Sequence, residues 1–231
     1  MTTTATVKSA GGATRSARRR LFLILFWSAL PLAGFEPLPE SGPVIGPGGG
    51  EVAWQPLFTA LAAQGSIWST FTEQRWFFFR KIPTVLQGEL RFSPARGLSL
   101  HYQKPEVRTI IADDKGLAMR DAQEGTHEVP SDPRAAGLTT ALLPIMRFDL
   151  RALEQQYEVH ATRHGLLWRL DFVSRDPALV RALGTVIVSG EDMSVRQLEF
   201  RHSPKERVEI LIGEVRTGVN FTPEEERRFF R

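Results

Sequence analysis

The amino-acid sequence predicts a mainly β domain of the α+β class, in which a strongly curved antiparallel sheet forms an unclosed barrel covered by helices. Five short strand-like runs follow one another between Phe71 and Asp121, separated by turns that contain proline, glycine or aspartate. Further strand-like runs follow after residue 156, and helical patterns interrupt the series at few points. Sequential strands with a few inserted helices are typical of this class of fold.

Residues 1–33 have the pattern of a secretory signal peptide. The cationic run Arg15–Arg20 precedes the apolar run Leu21–Ala33. Thirteen helical residues reach about 20 Å, whereas the hydrocarbon core of a bilayer is roughly 30 Å thick. The pattern therefore favours cleavage and export over the alternative of a permanent membrane-spanning helix. The sequence contains no cysteine, which excludes a lipidated N-terminal cysteine and any disulfide.

The net charge of +3 arises from this leader, which holds five of the 29 basic residues and none of the 26 acidic ones. The rest of the chain is slightly acidic, so the charge gives no reason to expect a nucleic-acid partner. Residues 34–51 are rich in proline and glycine and predict a flexible segment. Residues 52–231 are long enough to form one domain with its own core.

A helix is predicted at the start of this domain, because Pro56 suits a first turn and Leu57, Leu61 and Trp68 fall near one stripe. After Phe71 the apolar period changes from helical spacing to two, which indicates strands. The predicted strands in this part are Phe71–Phe79, Val85–Phe92, Leu98–Gln103, Val107–Ala112 and Leu117–Asp121.

A second helix is predicted over Pro133–Leu143, with Asp132 as its N-cap and Pro144 as its end. Leu138, Ala141, Leu142 and Ile145 lie on one side of it. Asp176–Val180 predicts a short helical turn and Pro223 the start of a terminal helix. The later predicted strands are Tyr157–Thr162, Leu166–Val173, Thr185–Ser189, Val195–Arg201 and Arg207–Arg216.

The apolar stripes of these strands are candidates for a cavity lining. Trp76–Phe79 is apolar on both faces, so it either lines a cavity or forms a two-sided core. The alternating stripe within Leu166–Phe172 faces inward and is open to the same two interpretations. The cavity candidates are Trp76, Phe78, Leu98, Leu100, Tyr102, Leu166, Trp168, Leu170 and Phe172.

No catalytic or metal-binding constellation is recognisable in the sequence. His160 and His164 have the spacing of a helical metal pair, but in a strand they would lie roughly 13 Å apart. Asp113 and Asp114 precede Lys115-Gly116 and have the pattern of a hairpin turn. Nucleophile elbows and zinc-protease motifs do not occur, so no cofactor and no enzymatic activity is expected.

A series of short motifs resembles a known family. Gly88–Phe92, Pro94 and Leu98–Pro105 follow a helix that ends in Phe71–Gln74, and a hairpin turn at Asp114-Lys115-Gly116 comes next. Leu166–Leu170 and Leu183–Gly190 occur further on. In this order, residues 52–217 resemble the outer-membrane lipoprotein carrier family, LolA, and its periplasmic relatives.

The resemblance implies an unclosed barrel with helices as a lid, in which an apolar cavity shields acyl chains. It also implies a monomer in the periplasm that moves a lipoprotein or another lipid between the inner and outer membranes without a reaction. An inner-membrane exporter and an outer-membrane acceptor would be its partners. Leu138, Ala141, Leu142 and Ile145 become lid candidates.

The sequence departs from the family at the residue before Pro94, where typical carriers have an arginine that latches the lid and this chain has Ser93. Arg91 and Arg96 lie nearby and are candidate replacements. Lid control and cargo could therefore differ. Two alternatives stay open, namely a periplasmic sensing or scaffold module of the same shape and a lipid-active hydrolase.

Overall fold

A computed structural model of the chain describes residues 42–46, 50–121, 125–128, 139 and 142–231. Within these residues a single antiparallel sheet of 13 strands is accompanied by five short helices. The strands are β1 (Val44–Ile45), β2 (Ile67–Trp76), β3 (Thr84–Ser93), β4 (Gly97–Lys104), β5 (Arg108–Asp113), β6 (Gly116–Asp121), β7 (Gly125–Glu128), β8 (Tyr157–His164), β9 (Leu167–Ser174), β10 (Thr185–Glu191), β11 (Ser194–Ser203), β12 (Glu206–Ile212) and β13 (Arg216–Thr217). The helices are α1 (Glu51–Ala62), α2 (142–147), α3 (Leu150–Gln156), α4 (Pro177–Leu183) and α5 (Pro223–Phe229).

Two meanders make up the sheet, β2 to β7 and β8 to β12, and each pairs strands that are consecutive in the chain. The β12–β2 pair joins the meanders, with Arg207 opposite Trp76 and Ile212 opposite Phe71. β13 pairs with the start of β2, while β1 pairs with β8 at one end of the sheet and β7 lies at the other. In the described part of the chain β1 and β7 do not pair with each other, which confirms the predicted unclosed antiparallel sheet.

Strand register sets which side chains face inward. Leu198, Ile210, Glu73 and Leu86 lie side by side across four neighbouring strands, on the face that carries the core. Because side chains alternate along a strand, Glu209 points to the opposite face. There its carboxylate accepts hydrogen bonds from Trp76 Nε1 at 3.0 Å and from Arg207 at 2.6 Å. Period-two alternation therefore places one charged residue, Glu73, inside an otherwise apolar row.

Three predicted features near α1 are wrong in detail. Gly65 has a left-handed backbone with φ of 68°, which a right-handed helix does not contain, so α1 ends at Ala62 and not in Phe71–Gln74, which lies in β2. Trp68, which was predicted on the helical stripe, therefore lies in β2. Pro56 lies inside α1 and not in its first turn, because the helix already begins at Glu51.

The end of the first predicted strand also differs. β2 ends at Trp76, and the Arg80 N–H donates to the Phe77 carbonyl at 2.9 Å, which closes a turn. The sequence pattern extends the strand to Phe79 because the run Trp76–Phe79 is apolar on both faces. Residues 77–79 belong instead to the loop between β2 and β3.

The structure contains elements that the sequence pattern did not predict. β1 lies in the proline- and glycine-rich segment 34–51 and is too short for its period to be visible. α2 continues through Pro144 to residue 147, because the fixed φ of proline is compatible with a helix. α3 follows at once, with the Asp149 side chain accepting from the Ala152 N–H at 3.2 Å. The part of the predicted helix over 133–138 lies outside the described residues.

α5 packs against the face of β3 and β4 that points away from the core. It begins as predicted at Pro223, behind a reciprocal capping box of Thr222 and Glu225. The Arg91 guanidinium lies 3.6 Å from the centre of the Phe229 ring, and the His101 ring packs edge-on against the same phenyl at 5.3 Å. Burial lowers the pKa of His101 below its ordinary value. The sheet is thus covered on both faces at this position.

Arg231 fastens the chain beyond α5 to the β5–β6 turn. Its Nε and Nη2 donate to the two Asp113 carboxylate oxygens at 2.9 and 2.5 Å. The Lys115 N–H donates to the same carboxylate at 2.8 Å. Burial opposes ionisation, but these hydrogen bonds outweigh it and lower the pKa of Asp113 below its ordinary value.

Asp113→Asn is expected to lower the melting temperature at neutral pH. A folded-state pKa below the unfolded one stabilises the protein above about pH 4, and this contribution is lost as the pH falls through the lowered pKa. The difference in melting temperature between variant and wild type should therefore shrink in acid, which thermal unfolding measured across pH would reveal. Asp114→Asn is the control, since this exposed carboxylate pairs with Arg147 at the surface. An equal difference at every pH would contradict the interpretation.

Candidate functional site

A cavity of about 400 Å³ lies between the inner face of the sheet and the helices α2 and α4. Its wall is mostly aliphatic and aromatic. The strands contribute Leu90, Leu98, Leu100, Tyr102, Ile110, Val188, Val195, Leu198, Phe200, Val208, Ile210 and Ile212. The helical side of the wall contains Leu142 and Met146 from α2, Phe148 after it, and Ala182 and Leu183 from α4.

Both meanders are needed to build this wall. Leu90 and Leu100 lie opposite each other on β3 and β4 of the first meander. Val188 and Leu198 lie opposite each other on β10 and β11 of the second. Inward-facing aliphatic side chains from all four strands thus meet across the seam between β12 and β2, and the cavity follows from the curvature of the sheet around that seam.

Polar and aromatic residues stand at one end of the cavity. Trp76 and Phe77 close β2, and the neighbouring β12 begins there with Glu206 and Arg207. The Arg207 guanidinium lies over the Trp76 ring, 4.6 Å from its centre, and both side chains meet Glu209 on the outer face, so they border the cavity mouth from outside. An apolar interior with a polar rim suits a ligand that has a long apolar part and a polar end.

One ionisable cluster lies on the inner face itself. Glu73 is 2% exposed. Its carboxylate accepts a hydrogen bond from the Tyr102 hydroxyl at 2.5 Å and forms an ion pair with Arg75. Burial and the neighbouring Glu73 carboxylate raise the pKa of Tyr102, so the phenol keeps its proton and continues to donate. The cluster is internally satisfied, which lets a charged group stand in an apolar wall.

The structure brings four of the nine predicted cavity residues to the cavity. Leu98, Leu100 and Tyr102 line it with inward-facing side chains, and Trp76 borders its mouth, although its indole turns to the outer face and donates to Glu209. Trp168, Leu170 and Phe172 are fully buried in the hydrophobic core next to it. Phe78 and Leu166 are 73% and 64% exposed, so their predicted place in the cavity is wrong, because both lie in hairpin loops beyond the ends of the strands.

The lid candidates also differ in where the structure places them. Leu142 is 2% exposed and lines the cavity, whereas Ile145 is fully buried in the core. Leu138 and Ala141 lie outside the described residues. The candidate latch residues both contact α5: Arg91 packs on Phe229, and Arg96 pairs with Glu226 at 2.6 Å. These contacts place them against the terminal helix and not against α2.

Sequence reasoning missed the wall residues of the second meander, although their alternation is visible in β10 to β12. Their relation to β3 and β4 depends on the β12–β2 pairing, which joins Glu209 and Trp76 across 133 positions of sequence. The Glu73–Tyr102 contact was missed for a similar reason, as the two residues are 29 positions apart. Among the described residues, no group of three or more metal-binding side chains is placed to hold an ion, and no helix is long and apolar enough to cross a membrane.

Comparison with solved structures finds matches at low sequence identity. A LolA superfamily protein from Nitrosomonas europaea is 7% identical over 74% of this chain and 96% of its own, with a TM-score of 0.44. A putative outer membrane lipoprotein-sorting protein domain from Vibrio parahaemolyticus is 9% identical over 77% and 95%, with a TM-score of 0.43. MucB in complex with MucA is 12% identical over 75% and 57%, with a TM-score of 0.39. No curated protein sequence matches the chain.

A family model gives the more direct result. The model for outer membrane lipoprotein carrier protein LolA-like domains matches residues 51–223. The match begins at the first residue of α1 and ends at the first residue of α5, so it contains both meanders and the cavity between them. The chain belongs to the LolA-like outer membrane lipoprotein carrier family.

Proposed function

We propose that this protein is a carrier that shelters the acyl chains of a lipoprotein or another lipid and moves them through the periplasm between the inner and outer membranes. The observation that supports this proposal is the apolar cavity of about 400 Å³ under α2 and α4. Burying one methylene is worth about 0.8 kcal/mol, so ten sheltered methylenes gain roughly 8 kcal/mol before the costs of ordering and immobilising the chain. That gain is large enough for stable but reversible binding.

The family and the leader support the same role. Residues 1–33 are proposed to direct export and to be removed, which leaves a monomeric carrier between the two membranes. A carrier needs a donor and a receiver, for which an inner-membrane exporter and an outer-membrane acceptor are proposed. The cluster of Glu73, Tyr102 and Arg75 adds a polar group to the otherwise apolar cavity wall. No chemical step is proposed, since the task is to shield and release a cargo.

The proposal predicts that affinity rises with acyl chain length until the cavity is full. Each added methylene should strengthen binding by up to about 0.8 kcal/mol, or roughly fourfold, before the plateau. Titration with fluorescent fatty acids of increasing length measures this, and native mass spectrometry of the exported protein should find co-purified lipid. Sequencing its N terminus checks that residues 1–33 are gone. A flat dependence on chain length together with lipid-free protein would refute the carrier role.

Leu142→Glu tests whether α2 acts as a lid. Leu142 is buried against the cavity, so the new carboxylate is either buried at a cost of several kcal/mol or forces α2 away from the sheet. We expect acyl-probe binding to weaken by about tenfold or more, while unfolding stays cooperative because the sheet keeps its own core.

Two further results would decide against a lid. Unchanged binding by a normally folded Leu142→Glu protein would remove the gating role of α2. Loss of the whole fold would make α2 an ordinary part of the core. Val180→Glu is the matched control, because this valine lies on α4 at a partly exposed position outside the cavity wall and should alter neither property.

A further inference from the structure

The loop between β2 and β3, residues 77–83, exposes an unusual amount of apolar surface. Phe78, Phe79 and Ile82 are 73%, 69% and 74% exposed. Arg80 and Lys81 stand between them, and residues 77–83 contain no acidic side chain. Soluble proteins rarely expose neighbouring large apolar side chains without a binding role.

This 77–83 loop has a definite conformation. The Arg80 N–H closes the turn on the Phe77 carbonyl, and Arg80 Nη1 donates to the Thr84 hydroxyl at 2.9 Å. The Phe78 ring packs edge-on against Phe79 at 5.1 Å, and Phe77 stacks on Phe79 at 5.6 Å. The aromatic rings support one another, so the loop presents them to solvent in a fixed arrangement.

The loop adjoins the rim of the cavity. Trp76 and Phe77 are themselves part of that rim, and the exposed residues follow them directly in the chain. The pairing of β2 with β12 brings the tip of the β11–β12 hairpin, with Lys205, to the same end of the sheet. An aromatic surface therefore runs from the cavity mouth to the tip of the loop, with basic residues beside it.

We propose that the 77–83 loop docks this end of the protein on an anionic lipid bilayer. Phe78, Phe79 and Ile82 would enter the boundary between headgroups and acyl chains, where aromatic side chains are favoured. Arg80 and Lys81 would contact lipid phosphates, because basic side chains beside an apolar surface are attracted to anionic leaflets. Side chains that project from a hairpin tip suit a deformable lipid surface.

Docking in this orientation places the cavity mouth against the bilayer, where an acyl chain could enter or leave with little exposure to water. This consequence rests on the proposed carrier function, but the docking itself does not. Vesicle binding is measured without cargo, and acyl-probe binding is measured without vesicles. Failure of one proposal is therefore distinguishable from failure of the other.

The test is flotation of the exported protein with vesicles of phosphatidylcholine and phosphatidylglycerol, compared with vesicles of phosphatidylcholine alone. Wild-type protein should bind the anionic vesicles more tightly, and added salt should weaken this binding. The double variant Phe78→Ser/Phe79→Ser should lose about tenfold in vesicle affinity while its melting temperature and acyl-probe binding stay unchanged. Leu166→Ser is the matched control, since this leucine is 64% exposed on a hairpin at the opposite end of the sheet.

A second variant tests the contribution of the basic side chains to vesicle binding and leaves the aromatic rings in place. Arg80→Gln/Lys81→Gln should lose the preference for anionic vesicles, whereas Lys115→Gln in the distant β5–β6 turn should keep it. The proposal would be overturned if the wild-type protein bound neither type of vesicle, or if the variants bound vesicles as tightly as the wild type does. A loop that proves necessary for binding a protein partner but not vesicles would overturn it as well.

Discussion

Val208→Trp is expected to weaken binding of a long acyl chain by about a hundredfold, because a large ring would occupy the space that cargo needs. Val208 is half-buried and faces the cavity from β12, so the indole can enter open space without displacing the core. If four methylenes are excluded, the loss is about 3 kcal/mol, which corresponds to roughly a hundredfold in affinity. Short acyl chains should lose much less, and titration with probes of two lengths would measure the difference.

Leu211→Trp provides the matched control. Leu211 is on the same strand and is also half-buried, but it points to the opposite face of the sheet, where it lies opposite Gln197 and Thr72. The Leu211→Trp protein should bind both probes as tightly as the wild type does. Equal affinities for the long probe in Val208→Trp and Leu211→Trp would mean that the cavity is not the binding site.

Trp168→Ala is expected to destabilise the protein by about 3–5 kcal/mol. The indole is fully buried, packs against Gly190 on β10 and donates from Nε1 to the Asp192 carbonyl at 2.8 Å. Its removal leaves a large cavity and a carbonyl without its donor. Chemical denaturation would measure the change in the free energy of unfolding.

Trp68→Ala is a suitable comparison for that measurement. Trp68 is only half-buried, and the Arg216 guanidinium lies 4.7 Å from the centre of its ring, so its removal should cost about 1 kcal/mol. A similar loss in both variants would indicate that Trp168 is not a central part of the core. A loss at Trp168 alone would identify the β9–β10 region as a main source of stability.

The strands were predictable where alternation is regular over several residues. Leu98, Leu100 and Tyr102 share a face in the sequence and line the cavity in the structure. The pattern failed where the chain is apolar on both faces, as at Phe78, because such a run does not reveal where a strand ends. It also failed at Trp68, whose helical spacing from Leu61 was accidental once Gly65 had ended the helix.

Contacts between distant parts of the chain were beyond the sequence pattern. Arg91 was expected near a lid helix because of its distance from Pro94, but strand alternation turns its side chain to the face that α5 covers. The polar cluster of Glu73, Tyr102 and Arg75 depends on the register of three strands. Local periodicity determines the face of a strand that a residue occupies, while the identity of its neighbours depends on pairing that only the folded sheet defines.

The pairing of β12 with β2 affects the order in which the parts of the protein fold. Because these strands are far apart in the sequence, their pairing closes a long loop and is expected to be a late, slow event in folding. Because residues of both meanders line the cavity, a chain in which only one meander has folded has no complete pocket. A lipid in the proposed cavity would contact both meanders at once, so it should slow amide hydrogen exchange most strongly along β2 and β12, the two strands that join the meanders.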